Sequence, residues 1–422
     1  MPDAHAALLN ILSKRVLVAG VSTRAAADSA ARAGFVVTAI DAFGDLDQHA
    51  SVRALSLGRS FTARAAARAA RSIECDAVVY LSTFENHPEA VSALAAEGRS
   101  LWGNAPEVLR RVRNPMLVAQ ALRGRDCAVP EVCLAPDAHL ESDPHVAPES
   151  YVVSGINRTA TRPRHEVRLK PNTAWLVKPL ASGGGHRIQP WLSAAGLPRG
   201  CYLQELVDGT PGSVVFVASG GRAVPIGVSR QLIGDRAFGA AGYRYCGNIL
   251  AAAGDTGDTA LVDRAGALAS VVAEEFGVVG VNGIDFVARD GVPYAIEVNP
   301  RWCASMELVE RAYGLSVFGA HAAACANGAL PEFDLLRARR GAAAVGKAVV
   351  FARRDVLVGD TREWLADASV RDVPHPGERI PAGRAVCTVF AAGRKAASCH
   401  AALVRRAERV YAELDAWERG GA

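Results

Sequence analysis

One stretch of the chain, Gly283–Arg301, carries several side chains that could do chemistry together. Asp285, Glu297 and Asn299 supply two carboxylates and an amide oxygen, which are the hard ligands that suit Mg²⁺ or Mn²⁺. Arg301 is a fixed cation that could grip an anionic oxygen through two N–H groups. Paired acids on strands are more often a solvated surface, so the metal-site interpretation depends on the rest of the chain.

The hairpin that would carry these side chains is indicated by the local pattern. Two apolar runs, Ile284–Ala288 and Tyr294–Val298, flank Asp290 and Gly291. An Asp-Gly pair between two β-prone runs is a strong signal for a tight hairpin turn. Pairing of the two strands would bring the oxygen-bearing side chains to one end of a cleft.

A second candidate site precedes the hairpin. Ala174–Lys178 reads as a strand that ends in a lysine, and Gly183, Gly184 and Gly185 follow shortly after it. The backbone N–H groups of such a loop can surround phosphate oxygens, and the lysine ammonium adds a point charge. The spacing is not that of a Walker P-loop, because no Gly-Lys-Ser/Thr closes the loop. A flexible glycine turn between strands is the alternative.

Alternating strand and helix patterns near the start of the chain predict a parallel sheet. Arg15–Gly20 and Phe35–Ile40 read as buried strands, and the alanine-rich segment from Arg24 to Arg32 reads as a helix. A strand, a helix and a second strand with short links form a βαβ unit, which implies parallel pairing.

The loop after the next predicted strand, Ala77–Leu81, carries several polar side chains. Loops at the carboxyl ends of parallel strands are where open α/β sheets bind ligands. Glu85 and Asn86 are therefore candidate substrate contacts. A helix cap before Pro88 is the alternative interpretation of the same residues.

Composition restricts the class of protein. The chain has 422 residues, of which 50% are hydrophobic and 21% charged, so it should fold into two or three domains. The net charge of +4 is spread along the chain, so nucleic-acid binding is not indicated. Nine cysteines without a CxxC pair favour reduced thiols in the cytoplasm. The N-terminus lacks the pattern of a signal peptide, and no apolar run is long enough for a membrane span.

Several motifs follow one another in an order that closely resembles the ATP-grasp superfamily of carboxylate–amine ligases. They are Lys178, Gly183–Gly185, Gln204–Val207, Asp285 and Glu297–Arg301. The most specific part is Glu-x-Asn-Pro-Arg with an acidic residue twelve positions upstream. The N-terminal region resembles that of predicted ATP-grasp carboligases of methanogens and methylotrophs, which are related to biotin carboxylase.

The resemblance implies an α/β and α+β fold in three parts. An N-terminal parallel-sheet domain, the pre-ATP-grasp domain, would cover residues 1–112. A two-lobed ATP-grasp domain would cover residues 113–335, and a small β-rich domain with a closing helix would cover residues 336–422.

The resemblance also implies which residues hold ATP. Lys178 would contact the α- and β-phosphates, and the three glycines after it would form a mobile lid over the β- and γ-phosphates. The hinge around adenine and the acidic residue nearest to the ribose would be Gln204, Glu205, Leu206, Val207 and Asp208.

The same resemblance implies that residues of the hairpin carry out the chemistry at the phosphates. Asp285, Glu297 and Asn299 would hold one or two Mg²⁺ or Mn²⁺ ions. Arg301 would steady the acyl-phosphate and the tetrahedral intermediate, with Lys178 as the second catalytic residue.

Two positions depart from the family pattern. The family usually has a phosphate-binding lysine near the start of the grasp domain, where this chain has Arg113. Arginine and lysine are not interchangeable at a point contact. The ribose-binding acid that commonly follows the hinge is also displaced, because Pro211 occupies its position and Asp208 is the nearest acid.

The implied reaction is ATP-dependent amide formation between a small carboxylate and an amine, with release of ADP and phosphate. Arg230 and Arg244 are candidate contacts for the carboxylate substrate, from charge and position alone. The taxonomic range of the resemblance suggests glutamate addition in the biosynthesis of a one-carbon carrier cofactor. The alternatives are a carboxylase subunit that phosphorylates bicarbonate and a nucleotide-binding sensor without catalysis. We expect a cytoplasmic protein that has no nucleic-acid or membrane partner. The protein itself could form a homodimer.

Overall fold

The computed structural model describes residues 14–134, 173–192, 196–250 and 259–420. The first thirteen residues, on which the signal-peptide interpretation depends, lie outside the described part of the chain. All nine cysteines are described, and each is unpaired. None of the helices in the described part combines the length and the apolar character that a bilayer span requires.

The N-terminal region forms the predicted parallel sheet, with strand order β3-β2-β1-β4-β5. The near-continuous apolar runs of β1 and β4 fit strands covered on both faces. The strands are β1 (Arg15–Ala19), β2 (Val36–Asp41), β3 (Arg53–Ser56), β4 (Ala77–Tyr80) and β5 (Ser100–Leu101). The helices that accompany them are α1 (Arg24–Arg32), α2 (Ala63–Ala70) and α3 (Pro88–Leu94).

Two short helices, α4 (Pro106–Val112) and α5 (Pro115–Arg123), lead out of this region. The side chain of Asn114 accepts hydrogen bonds from two backbone N–H groups of α5. Pro115 has no backbone N–H group that would need a partner in the first helical turn. It can therefore start the second helix after the first has ended. The two helices are therefore separated directly before Pro115.

A small antiparallel sheet follows, with strand order β6-β9-β7-β8. Its central strands carry Lys178 and Gln204 on neighbouring positions. The strands are β6 (Val132–Leu134), β7 (Trp175–Pro179), β8 (Gln189–Pro190) and β9 (Cys201–Glu205).

An eight-stranded sheet forms the centre of the molecule, with order β14-β13-β10-β11-β12-β15-β19-β17. A separate two-stranded sheet pairs β16 with β18. The strands of the two sheets are β10 (Thr210–Ser219), β11 (Arg222–Ile233), β12 (Tyr245–Leu250), β13 (Gly280–Arg289), β14 (Val292–Asn299), β15 (Ala344–Phe351), β16 (Val356–Leu357), β17 (Val370–Arg371), β18 (Arg379–Ile380) and β19 (Ala385–Gly393).

The two faces of the large sheet are buried against different helices. On one face, Phe216 and Phe286 pack with Leu268 of the long helix α6. On the other face, Val217 packs with Phe318 in a cluster that includes side chains of the N-terminal region. The remaining helices are α6 (Thr259–Phe276), α7 (Met306–Tyr313), α8 (Val317–Asn327), α9 (Leu335–Arg339), α10 (Arg362–Ala366) and α11 (Ala396–Gly420).

The predicted fold class, with a parallel N-terminal sheet and an antiparallel grasp region, is confirmed. Three strands after residue 336 continue the large sheet, because β15 pairs with β12, β19 pairs with β15, and β17 pairs with β19. The domain boundaries at 112/113 and 335/336 stay predictions.

Candidate active site

The predicted hairpin is formed by β13 and β14, and its turn consists of Asp290 and Gly291. Both residues have positive φ, at 53° and 73°, as a two-residue turn between twisted strands requires. The register places Asp285 opposite Glu297 and sets Asn299 opposite Gly283. The hairpin therefore brings the three predicted metal-ligating side chains to one end of the strand pair.

Asp285 is held by two amides. Asn299 Nδ2 donates to its Oδ2 at 3.1 Å, and Gln231 Nε2 donates to its Oδ1 at 2.8 Å. Burial, and then the nearby Glu297 carboxylate, raises the pKa of Asp285 to about 7, while Arg301 opposes this shift. A divalent cation between the two acids would relieve this repulsion, which is the reason that the donor set fits Mg²⁺.

Glu297 has the opposite electrostatic environment. Burial raises the pKa of its carboxyl, but Arg113 and then Lys178 outweigh burial and leave that pKa below its usual value. Arg113 NH1 donates to Glu297 Oε1 at 2.7 Å. In the described part of the chain no group of three or more His, Cys, Asp or Glu side chains could hold a metal. The candidate site has two carboxylates and an amide.

Arg301 connects the hairpin to the N-terminal region. Its Nε donates to Glu85 Oε1 at 2.9 Å, and its NH2 donates to Asn299 Oδ1 at 3.1 Å. Glu85 is 2% exposed, and its Oε2 has no hydrogen-bond partner among the described residues. The loop residue predicted as a substrate contact is thus also the ion-pair partner of Arg301, and its contact with substrate stays a prediction.

Lys178 lies at the boundary between the small sheet and the hairpin. Its Nζ donates to Gln204 Oε1 at 3.0 Å and to the Ile296 carbonyl at 3.4 Å. The side chain is 5% exposed. A pocket opens here, lined by two cations, an acid, several polar side chains and many apolar ones. Its lining includes Arg113, Val118, Val132, Lys178, Tyr202, Gln204, Ile296 and Glu297.

The predicted adenine hinge is partly engaged in protein contacts. The Glu205 carboxylate accepts from the Glu131 N–H at 3.0 Å, and the Leu206 N–H donates to the Ala174 carbonyl at 2.8 Å. Val207 is buried, and Asp208 is exposed. Their roles toward adenine and ribose stay predictions.

The glycine loop is in contact with the loop before β12. Tyr245 N–H donates to the Gly184 carbonyl at 3.2 Å. A β-carbon at Gly185 would lie 1.8 Å from the Tyr243 carbonyl oxygen, so only glycine allows this approach. The structure therefore brings the loop close to the large sheet, and its role as a mobile lid stays a prediction.

The two arginines proposed for the substrate carboxylate lie outside the cluster around Asp285. Side chains alternate along a strand, and Gln231 reaches Asp285, so the neighbouring Arg230 projects from the opposite face. Arg244 lies with its guanidinium carbon 4.4 Å from the centre of the Phe351 ring. Arg244 lies beside the glycine loop, because a β-carbon at Gly185 would be 3.3 Å from its Cα. Burial and then the Arg244 charge lower the pKa of His186.

Sequence reasoning missed two partners of the cluster. Gln231 comes from a strand that carries no motif, so no local signal pointed to it. Arg113 was noted only as a departure from the family pattern, although that departure at a phosphate-binding position was itself a signal. The structure places Arg113 against Glu297 and Asn86.

Comparisons with known proteins agree with this geometry. Residues 147–305 match the model of the ATP-grasp domain family. No curated protein sequence matches the chain. Biotin carboxylase of Campylobacter jejuni, solved as a β,γ-ATP complex, is similar in structure at a TM-score of 0.64 and 14% identity, over 93% of this chain and 90% of that one. The L-amino acid ligase of Bacillus licheniformis is similar in structure at a TM-score of 0.59 and 14% identity, over 94% of this chain and 97% of that one.

A third similar structure is a much longer protein. Pyruvate carboxylase of Rhizobium etli has a TM-score of 0.62 and 14% identity over 91% of this chain, which spans only 35% of that enzyme. Likenesses at such low identity establish the fold and not the substrate. The chain therefore contains an ATP-grasp domain, and the predicted resemblance is confirmed.

Proposed function

We propose that the protein is an ATP-dependent ligase that joins a carboxylate to an amine through an acyl-phosphate and releases ADP and phosphate. The observation that carries this proposal is the meeting of cations and oxygen ligands at one cleft. Lys178 and Arg113 line its nucleotide pocket, while Asp285, Glu297 and Arg301 occupy the adjoining end of the hairpin. Phosphoryl transfer needs positioning and charge neutralisation more than a protein nucleophile, which suits this set.

Separate groups of residues hold the metal ion and the phosphate chain of ATP in this proposal. Asp285, Glu297 and Asn299 would hold Mg²⁺ or Mn²⁺, which supplies charge neutralisation at the phosphates. Lys178 stabilises the phosphate chain of ATP through its ammonium group, and Gln204 fixes that group in place. The apolar walls of the pocket exclude water from the nucleotide.

The acyl step takes place beside Arg301. An oxygen of the substrate carboxylate attacks the γ-phosphorus, the bond to the bridging oxygen breaks, and ADP leaves. The amine then attacks the acyl carbon, loses a proton and expels phosphate. Arg301 is oriented by Glu85 and Asn299, so its guanidinium is fixed where negative charge develops on the acyl oxygen.

For the substrates, we propose glutamate as the carboxylate or amine partner in the biosynthesis of a one-carbon carrier cofactor. The support is the resemblance of the N-terminal region to carboligases of methanogens and methylotrophs. The same proposal includes a cytoplasmic location and small molecules as the only partners. It also includes a homodimer, and sedimentation would test this oligomeric state.

The test is a screen for ADP release with ATP, Mg²⁺, amino acids, and pterin or furan acceptors. With the active pair of substrates, Glu297→Ala should abolish ADP formation, because the change removes a carboxylate from the candidate metal site. The exposed Glu378 provides the control, and Glu378→Ala should keep full activity. Retained turnover in Glu297→Ala would contradict the proposed site.

A second candidate function is a carboxylase subunit that phosphorylates bicarbonate. The similarity to biotin carboxylase over nearly the whole chain favours it. Bicarbonate-dependent ATP hydrolysis in the presence of free biotin would support this candidate over the ligase. Tight ATP binding without ADP formation across the whole panel would instead indicate a nucleotide-binding sensor.

A further inference from the structure

Arg113 joins three separate parts of the molecule through one guanidinium group. Its NH1 donates to Glu297 Oε1 at 2.7 Å and to the Val298 carbonyl at 2.8 Å, both on the hairpin. Its NH2 donates at 3.2 Å to Asn86 Oδ1 in the N-terminal region and at 3.2 Å to the Ser182 carbonyl. Ser182 directly precedes the glycine loop, so this single side chain connects the loop to the candidate metal site.

The remaining nitrogen of the same guanidinium has no acceptor. Arg113 Nε is buried and lacks a hydrogen-bond partner among the described residues. Buried donors in folded proteins are almost always paired, so this nitrogen is free to donate to a water or to a bound ligand. The pocket that Arg113 lines with Lys178 and Gln204 is the one proposed for the nucleotide.

The pairing with Glu297 has a direct electrostatic consequence. An arginine keeps its positive charge at every accessible pH, so it cannot release the carboxylate by losing a proton. A divalent cation on Glu297 would meet this fixed charge at close range. The two cations would repel each other at Oε1, the oxygen that Arg113 contacts, and would therefore compete for it.

We propose that Arg113 is an exchangeable partner of Glu297. Without nucleotide it neutralises the carboxylate and holds the start of the glycine loop. When a divalent cation takes the carboxylate, the guanidinium turns to the phosphate oxygens of the nucleotide. The inference rests on the proposed ATP-binding function, and it assigns to Arg113 the coupling of metal, nucleotide and loop.

The exchange predicts effects of opposite sign for one substitution. In Arg113→Gln, Glu297 loses its competitor, so Mn²⁺ alone should bind about tenfold more tightly. ATP should bind about tenfold more weakly in the same variant, because a phosphate contact is lost. A side chain that only stabilised the fold would weaken both, and one that only contacted phosphate would leave binding of Mn²⁺ alone unchanged.

The experiment uses the full chain and two titrations. Mn²⁺ binding without nucleotide is followed by electron paramagnetic resonance, and ATP binding by calorimetry. Arg110→Gln is the control, because Arg110 is an exposed neighbour that pairs with Glu107, and it should change neither affinity. Arg113→Lys keeps the charge and provides a second variant if Arg113→Gln fails to fold. The affinity of Arg113→Lys for Mn²⁺ should be close to that of the original protein.

Unchanged or weaker binding of Mn²⁺ alone in folded Arg113→Gln would overturn the exchange. The titrations require no turnover, so this outcome is distinguishable from failure of the proposed ligase reaction. That reaction is tested separately by ADP release.

Discussion

Two partly buried arginines contact the hairpin from outside it, and each forms an ion pair with a different acid. Arg113 pairs with Glu297, and Arg301 pairs with Glu85. Among the described residues no acid forms an ion pair with Lys178, which is held by neutral oxygens from Gln204 and a backbone carbonyl. Among these three cations, Lys178 therefore has the charge that is least committed to the protein and most available to a phosphate.

This difference makes Lys178 the most informative residue for a direct substitution. Lys178→Met keeps the length of the side chain and removes its charge, so ADP formation should fall about a hundredfold. The measurement is steady-state ADP release with the active substrates. Lys395→Met, at an exposed lysine, should leave the rate unchanged. A Lys178→Met rate close to the original would show that the ammonium does not act on the phosphates.

At the scale of elements, the glycine loop is positioned by a close backbone approach. Gly185 has φ near +76°, and a β-carbon there would overlap the Tyr243 carbonyl oxygen. The loop can adopt this position only because the residue has no side chain. The contact of the glycine loop with Tyr243 is therefore possible only because glycine carries a hydrogen atom where other residues have a β-carbon.

Gly185→Ala should displace the loop and lower ADP formation about a hundredfold, since small misplacements of reacting groups have effects of this size. The matched control is Gly220→Ala in the turn between β10 and β11. Gly220 also has positive φ, at 56°, but nothing lies near its absent β-carbon. Both variants share the local backbone strain, so the comparison of rates and melting temperatures isolates the loop contact. Equal rates would argue against a role for the loop.

Sequence patterns predicted the elements that depend on local signals. The hairpin followed from Asp290 and Gly291, and the parallel pairing of β1 with β2 followed from the strand, helix and strand pattern near the start of the chain. Long-range contacts were beyond such patterns, because Arg113 and Glu297 are 184 residues apart and Gln231 and Asp285 are 54 apart. No periodicity or motif encodes which face of one strand meets a loop from another region.

At the scale of the whole molecule, a buried ion network links the three regions of the chain. Glu307 at the start of α7 accepts from Arg24 of the N-terminal region at 3.0 Å and from Lys347 of β15 at 2.8 Å. Arg24 also donates to Asp372 at 2.7 Å. Glu307 is 5% exposed. Removal of one member would leave buried charges without a partner.

Glu307→Ala should therefore lower the free energy of unfolding by about 3–5 kcal/mol near neutral pH. Burial opposes the charge of Glu307, but Arg24 and then Lys347 hold the pKa of its carboxyl far below the usual 4.5. A lowered folded pKa gives stability that is present above the unfolded pKa and is lost as pH falls toward the folded value. The deficit of the variant should therefore shrink below pH 4.5.

Urea unfolding at neutral and acidic pH measures both effects. The exposed Glu332 gives the control, and Glu332→Ala should stay within about 0.5 kcal/mol of the original protein. A deficit for Glu307→Ala that is small at neutral pH, or that grows in acid, would contradict this account of the network.

The continuous large sheet also has a consequence for how the protein is made. The edge of β12 that pairs with β15 stays open while residues 251–343 leave the ribosome. β17 is synthesised before β19 but pairs only with it. Open strand edges invite pairing with other chains. The nascent protein therefore carries an open edge on β15 until residue 393 has emerged, when β19 can pair with that edge and remove it as a site for pairing with other chains.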